Sequence, residues 1–305
     1  MNILKISMVN IMNYKALLMI PILSLALLFS GCLNASENND SEQKSLNLGL
    51  PPWPGVTVKS NVVKVILEEK GYAVKLNSLD AGLVYAKLAE GELDVLLAGW
   101  LPATHENYWN QYGDQLDKVN VNVEKTALGL AVPRHTYESG IQSITDLKGN
   151  GKIFNSRIVG IEPGAGIMSN TENAIEIYGL ENYELKSSST PAMMAELERA
   201  FNRNENIIVT VWEPHSVFFR FDIVMLDDPE RVYGDGDKVY TIARKGLESD
   251  DPVLYEFFKK FKITPEIQSG WIYEYSDEGR NPEDVAREWV RNNSEIVSEW
   301  TSHMN

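Results

Sequence analysis

Three tryptophans sit in short, proline-bearing stretches: Trp53 in Pro51-Pro52-Trp53-Pro54-Gly55, Trp100 in Gly99-Trp100-Leu101-Pro102, and Trp212 in Val211-Trp212-Glu213-Pro214-His215. An indole face attracts a diffuse positive charge, each face contributing roughly 0.5–2 kcal/mol when desolvated, so three converging rings could cage one cationic head group. A second element with chemical content is Gly160-Ile161-Glu162-Pro163-Gly164-Ala165-Gly166-Ile167-Met168, which joins a predicted strand to a predicted helix. Its glycines let backbone amides at the helix start approach a carboxylate or phosphate closely. The stretch lacks the lysine of a P-loop, which argues against a triphosphate. Aromatic faces beside backbone amides suit a small zwitterion with a methylated cation and an anionic tail. A quaternary ammonium has no N–H to donate, so polar acceptors gain little from it. Such a site would offset the cost of association and leave about −8 kcal/mol, a micromolar affinity.

Other chemistry finds no comparable support. The four histidines, His105, His135, His215 and His303, are scattered without zinc-ligand spacing, so neither a metal nor another cofactor is expected. There is no G-x-S-x-G elbow, and the single cysteine, Cys32, rules out an intramolecular disulfide and dithiol redox chemistry. Carboxylate pairs abound, but in so acidic a chain they read as solvated surface. No positive case for an enzyme emerges. Gly149-Asn150-Gly151 reads as a turn, His215 as structural, and Trp271, Trp289 and Trp300 as packing anchors of a helical C-terminal region.

Positioning the three rings falls to an alternation of short apolar runs and segments of helical period, which predicts an α/β fold. Strands are expected at 46–50, 73–76 and 93–98, the last delivering Trp100 into a loop, with helices at 56–70 and 81–90. The pattern restarts with a strand at 157–161, a helix through Ile177, a helix capped by Thr190 and opened by Pro191, and a strand at 207–211 delivering Trp212. The tryptophans thus follow strand C-terminal ends, the edge where open α/β sheets bind ligands. Two such units predict two lobes, with 126–132 and 238–244 as extended segments that cross between them and form a hinge. The expected division is 46–131 with 241–305 as the first lobe and 132–240 as the second.

The chain has 305 residues, with 28 basic and 43 acidic side chains. An apolar run from Ala16 to Phe29 follows Lys5 and Lys15, contains Pro21, and is too short for a spanning helix, so residues 1–31 read as a secretion signal. Leu28-Phe29-Ser30-Gly31-Cys32 resembles a lipobox, which predicts lipidation of Cys32 and a membrane anchor, followed by a flexible tether over 32–45. Loss of the leader would leave 26 basic against 43 acidic residues, a net charge of −17 that disfavours nucleic acid.

At these motifs the chain resembles the glycine betaine/proline betaine substrate-binding proteins of ABC importers. The matching segments are Gly99 to His105 with Tyr108-Trp109, Gly160 to Met168, Val211 to His215, Leu226-Asp227-Asp228-Pro229, and Ile242 to Leu247. The resemblance implies a two-lobed periplasmic-binding-protein fold of type II, with the ligand cleft between the lobes, and partnership with permease and ATPase subunits. It also implies residue roles: Trp53, Trp100 and Trp212 around the trimethylammonium head, and the Gly166 and Ile167 amides with His105 on the carboxylate. Ser216 stands where many relatives carry a further aromatic. A choline or carnitine receptor with the same cage, and a sugar-binding receptor, remain open alternatives.

Overall fold

A computed structural model describes residues 44–304. The expected leader, Cys32 and the tether up to residue 43 lie outside the described residues. Among the described residues no helix is long and apolar enough to cross a membrane.

The strands are β1 (Ser45–Leu50), β2 (Ala73–Ser78), β3 (Val95–Leu101), β4 (Leu116–Val123), β5 (Ala127–Pro133), β6 (Arg157–Val159), β7 (Glu184–Lys186), β8 (Val209–Glu213), β9 (Ile223–Met225) and β10 (Lys238–Arg244). They form two five-stranded sheets, ordered β2–β1–β3–β10–β4 and β7–β6–β8–β5–β9. In each, the first three strands of that order pair parallel, and the fourth runs antiparallel to both its neighbours. The two sheets therefore repeat one plan, and the odd strand in each is the one that has just arrived from the other half.

That plan corrects the expected seams. The apolar runs at 126–132 and 238–244 do not straddle the halves, because β5 lies wholly in the second sheet and β10 wholly in the first. The expected boundaries after residues 131 and 240 fall inside these strands. The connections are 124–126 and 226–237, both more polar than the strands they feed. Two smaller expectations also change. Trp100 and Trp212 are the penultimate residues of β3 and β8, held in the sheets themselves. The helix Thr190–Asn202 is capped by Ser189, whose side chain accepts the Ala192 N–H, while Thr190 donates its N–H and hydroxyl to the Glu162 carboxylate.

Helix α1 (Pro54–Glu69) starts directly after Trp53, with Pro54 at its first position, where no backbone donor is needed. It packs on β1–β3 from one side and under the helices Pro265–Ile272 and Pro282–Asn292 from the other. Burial on both sides explains why even Lys59, Ser60 and Asn61 are inaccessible. The C-terminal tryptophans pack as expected, Trp271 edge-on to Trp289 at 5.0 Å and Trp289 stacked on Trp300 at 5.9 Å.

The two connections touch. The Thr126 hydroxyl donates to the Asp237 carbonyl, and Gly236 holds a φ of +99°, a conformation in which a Cβ would meet the Thr126 carbonyl oxygen at 2.9 Å. The buried Asp237 carboxylate then accepts the N–H groups of Ala103 and Thr104 at 2.8 and 2.9 Å, tying the second connection to the turn after Trp100. Asp237→Ala leaves two inward-facing donors unmet and should cost about 3 kcal/mol in urea unfolding, with Asp237→Asn costing about half as much. Equal stability of all three proteins would show that this tie is dispensable.

Candidate functional site

Trp53, Trp100, His105, Gly166, Ile167 and Trp212 all line one cavity. The repeated sheet plan explains their convergence. Near the end of β3, Trp100 stands opposite Val239 of β10, and near the end of β8, Trp212 stands opposite Leu128 of β5; both aliphatic partners line the same cavity. Trp53 follows β1, and the Gly166 turn follows β6, the equivalent strand of the second sheet. All three rings are buried. Both turns beyond the sheet-borne tryptophans contain a cis X-Pro bond, Leu101-Pro102 and Glu213-Pro214.

Gly166 and Ile167 are the first two residues of the helix Gly166–Ile177, so no preceding turn of helix supplies a carbonyl for their N–H groups. Residue 166 must also be glycine for a spatial reason. A Cβ there would fall 2.0 Å from the Thr104 carbonyl oxygen, which belongs to the other half of the molecule. Nearby, the Tyr108 hydroxyl donates to the Gly164 carbonyl at 2.9 Å, a second contact across the cleft. The halves are therefore closed on each other around the cavity.

His105 has a determined protonation state. Its Nδ1 accepts the Trp100 N–H at 3.3 Å, so that nitrogen must carry a lone pair. The Tyr85 hydroxyl at 3.2 Å then donates to it as well, and the proton sits on Nε2. Nε2 has no partner among the described residues, leaving one N–H donor on a ring that lines the cavity. Burial lowers the pKa of His105 to about 3, so the ring stays neutral. Tyr85 and Tyr108 meet the imidazole edge-on at 5.5 and 5.7 Å, and Trp53 lies tilted over it at 5.7 Å.

His215 takes no part in the cavity wall. Its Nδ1 accepts the Val217 N–H at 3.0 Å and its ring stands perpendicular to Trp212 at 4.8 Å, supporting that indole from behind. Its pKa is lowered to about 4 by burial. Two polar lining residues are not expected from the sequence: Lys59 of α1 and Gln268. Lys59 did carry a signal, since it shares the helical face of Val62, Val63, Ile66 and Leu67. Among the described residues no cluster of His, Cys, Asp and Glu could hold a metal.

A two-lobed α/β fold with a closed aromatic cavity at the strand ends defines a ligand receptor of the periplasmic-binding class. Residues 44–292 match the family described as the substrate binding domain of ABC-type glycine betaine transport systems, and the chain belongs to that family, one of transport receptors and not of enzymes. It is 43% identical over 153 residues to the glycine betaine/carnitine transport binding protein GbuC of Listeria monocytogenes, a match spanning 50% of this chain and 51% of that relative. The chain thus aligns with about half the length of that relative. The crystal structure of the glycine/betaine/L-proline-binding protein ProX of Borrelia burgdorferi superposes with a TM-score of 0.82 at 36% identity, covering 84% of this chain and 96% of that one. Lactococcal OpuAC, in its closed-liganded conformation with glycine betaine, gives 0.79 at 30% identity over 85% and 99% of the two chains. A choline binding protein in complex with choline shares the fold, with a TM-score of 0.82 at 24% identity.

Both buried histidines bind protons more readily unfolded than folded, so they lower stability as the pH falls from about 6.5 toward about 4 and leave it unchanged above that range. In nitrogen-detected NMR, His105 should keep the Nε2–H neutral signature throughout this window. Titration near its ordinary value would contradict the assigned tautomer.

Proposed function

We propose that this chain is the extracytoplasmic receptor of an ABC importer, capturing glycine betaine or a related quaternary-ammonium osmoprotectant and presenting it to permease and ATPase subunits. In this reading Trp53, Trp100 and Trp212 enclose the trimethylammonium group. The N–H groups of Gly166 and Ile167 and the Nε2–H of His105 hold the carboxylate. The supporting observation is that three indoles, two unpaired helix-start amides and one neutral imidazole donor line the same closed cavity. Charge-assisted bonds from those donors suit an anionic group, while the aromatic surfaces suit a cation that offers no N–H. Carnitine also joins a methylated cation to a carboxylate, and the Listeria relative is named for both ligands.

The lobes correspond to the two sheets with their helices, and ligand binding favours the closed arrangement because neither half alone completes the site. Cys32, in its lipobox-like context, would anchor the mature chain to the outer face of the cytoplasmic membrane.

Calorimetry with glycine betaine tests the cage: Trp100→Ala should weaken binding about tenfold or more. Unchanged affinity removes Trp100 from it. Gly166→Ala tests closure, since a methyl group there collides with the Thr104 carbonyl. It should lower affinity about a hundredfold while changing unfolding stability by less than about 1 kcal/mol. Full binding by that variant would mean that the ligand does not need the closed form.

A further inference from the structure

Lys59 is the single lysine, arginine or carboxylate-bearing residue among the described residues lining the cavity. It is 1% exposed and makes no ion pair among the described residues, an unusual state for a buried lysine. Its Nζ donates to the Leu97 carbonyl of β3 at 3.2 Å and to Asn122 Oδ1 of β4 at 2.7 Å. The Asn122 amide is itself fixed by donating to the Leu97 carbonyl at 3.2 Å and to Thr241 Oγ1 of β10 at 3.0 Å. An ammonium has three N–H groups, so two bonds leave one donor unassigned. From the helix Pro265–Ile272, Gln268 lines the same cavity, and its buried Oε1 has no hydrogen-bond partner among the described residues.

The Lys59 amine thus bonds one carbonyl and one neutral amide, Gln268 adds a second neutral amide to the lining, and the one other titratable residue in the lining, His105, is neutral. No carboxylate offsets the amine from any of these elements. Burial alone moves its pKa down to about 7, which places its charging within the ordinary range of experiment.

We propose that Lys59 selects ligands of this cavity by net charge, admitting zwitterions and disfavouring bare cations of the choline type. The inference rests on the receptor reading above. A zwitterion brings its own carboxylate into a space whose wall otherwise carries one uncompensated amine. A bare cation adds a second positive charge there without compensation, and the repulsion is strong because water is excluded. Selection therefore sharpens as the amine takes up a proton.

The test is calorimetric titration of the unsubstituted protein with glycine betaine and with choline at about pH 8 and about pH 6, repeated with Lys59→Met and Lys59→Gln. The glutamine variant keeps a donor for Asn122 and Leu97 if the methionine variant does not fold. Choline affinity should fall about tenfold between the two pH values in the unsubstituted protein while glycine betaine affinity holds. In the variants choline binding should be independent of pH, and at about pH 6 the preference for glycine betaine should shrink by about tenfold. If the unsubstituted protein binds no choline, its appearance in a folded variant carries the same meaning. Glycine betaine binding with a choline ratio unmoved by pH and by both variants overturns the role of Lys59 alone. Absence of glycine betaine binding to the unsubstituted protein overturns the receptor reading itself.

Discussion

A backbone oxygen of one half occupies the space that a β-carbon of the other would need. The contact between the Thr104 carbonyl and Gly166 lets the two sheets approach until their strand ends share one cavity. Any side chain at residue 166 would hold the halves apart, and the unpaired amides of Gly166 and Ile167 would then face bulk water instead of a closed space. Closure changes the worth of every polar group inside, because a desolvated donor has no competing water partner.

The repeated sheet plan makes this approach productive. Each half brings a tryptophan at the end of its third parallel strand, backed by an aliphatic residue on the antiparallel strand that enters from the other half. The wall is therefore assembled twice by the same local rules. Differences between the halves carry the polarity: the first sheet presents His105 and Lys59, and the second presents bare amides at a helix start. A chain of strongly acidic composition thus lines its cavity with N–H donors.

Much of this was legible in residue types. Tryptophans beside prolines after apolar runs announced strand-end positions, and the glycine-rich turn announced a helix start near an anion. What local sequence concealed was burial from a distance. Ser60 and Asn61 look like the solvated side of an amphipathic helix until the helices Pro265–Ile272 and Pro282–Asn292 cover α1 from the outside, and the partners of Lys59, Leu97 and Asn122, lie on strands distant in sequence. The runs at 126–132 and 238–244 read equally well as linkers or as inner strands, since periodicity cannot reveal that β5 and β10 have neighbours on both sides. Ser189 displaced Thr190 as the helix cap because Glu162, distant in sequence, engages Thr190.

Two peptide connections joining the same pair of bodies define an axis, and here they lie against each other at Thr126, Gly236 and Asp237. Bodies pinned in this manner have one easy rotation and resist sliding or shear. A small torsional change at the pins is magnified by leverage into a large sweep at the far rim. Because Asp237 also grips the turn that bears Thr104, the pivot and the contact that limits its travel are mechanically one piece.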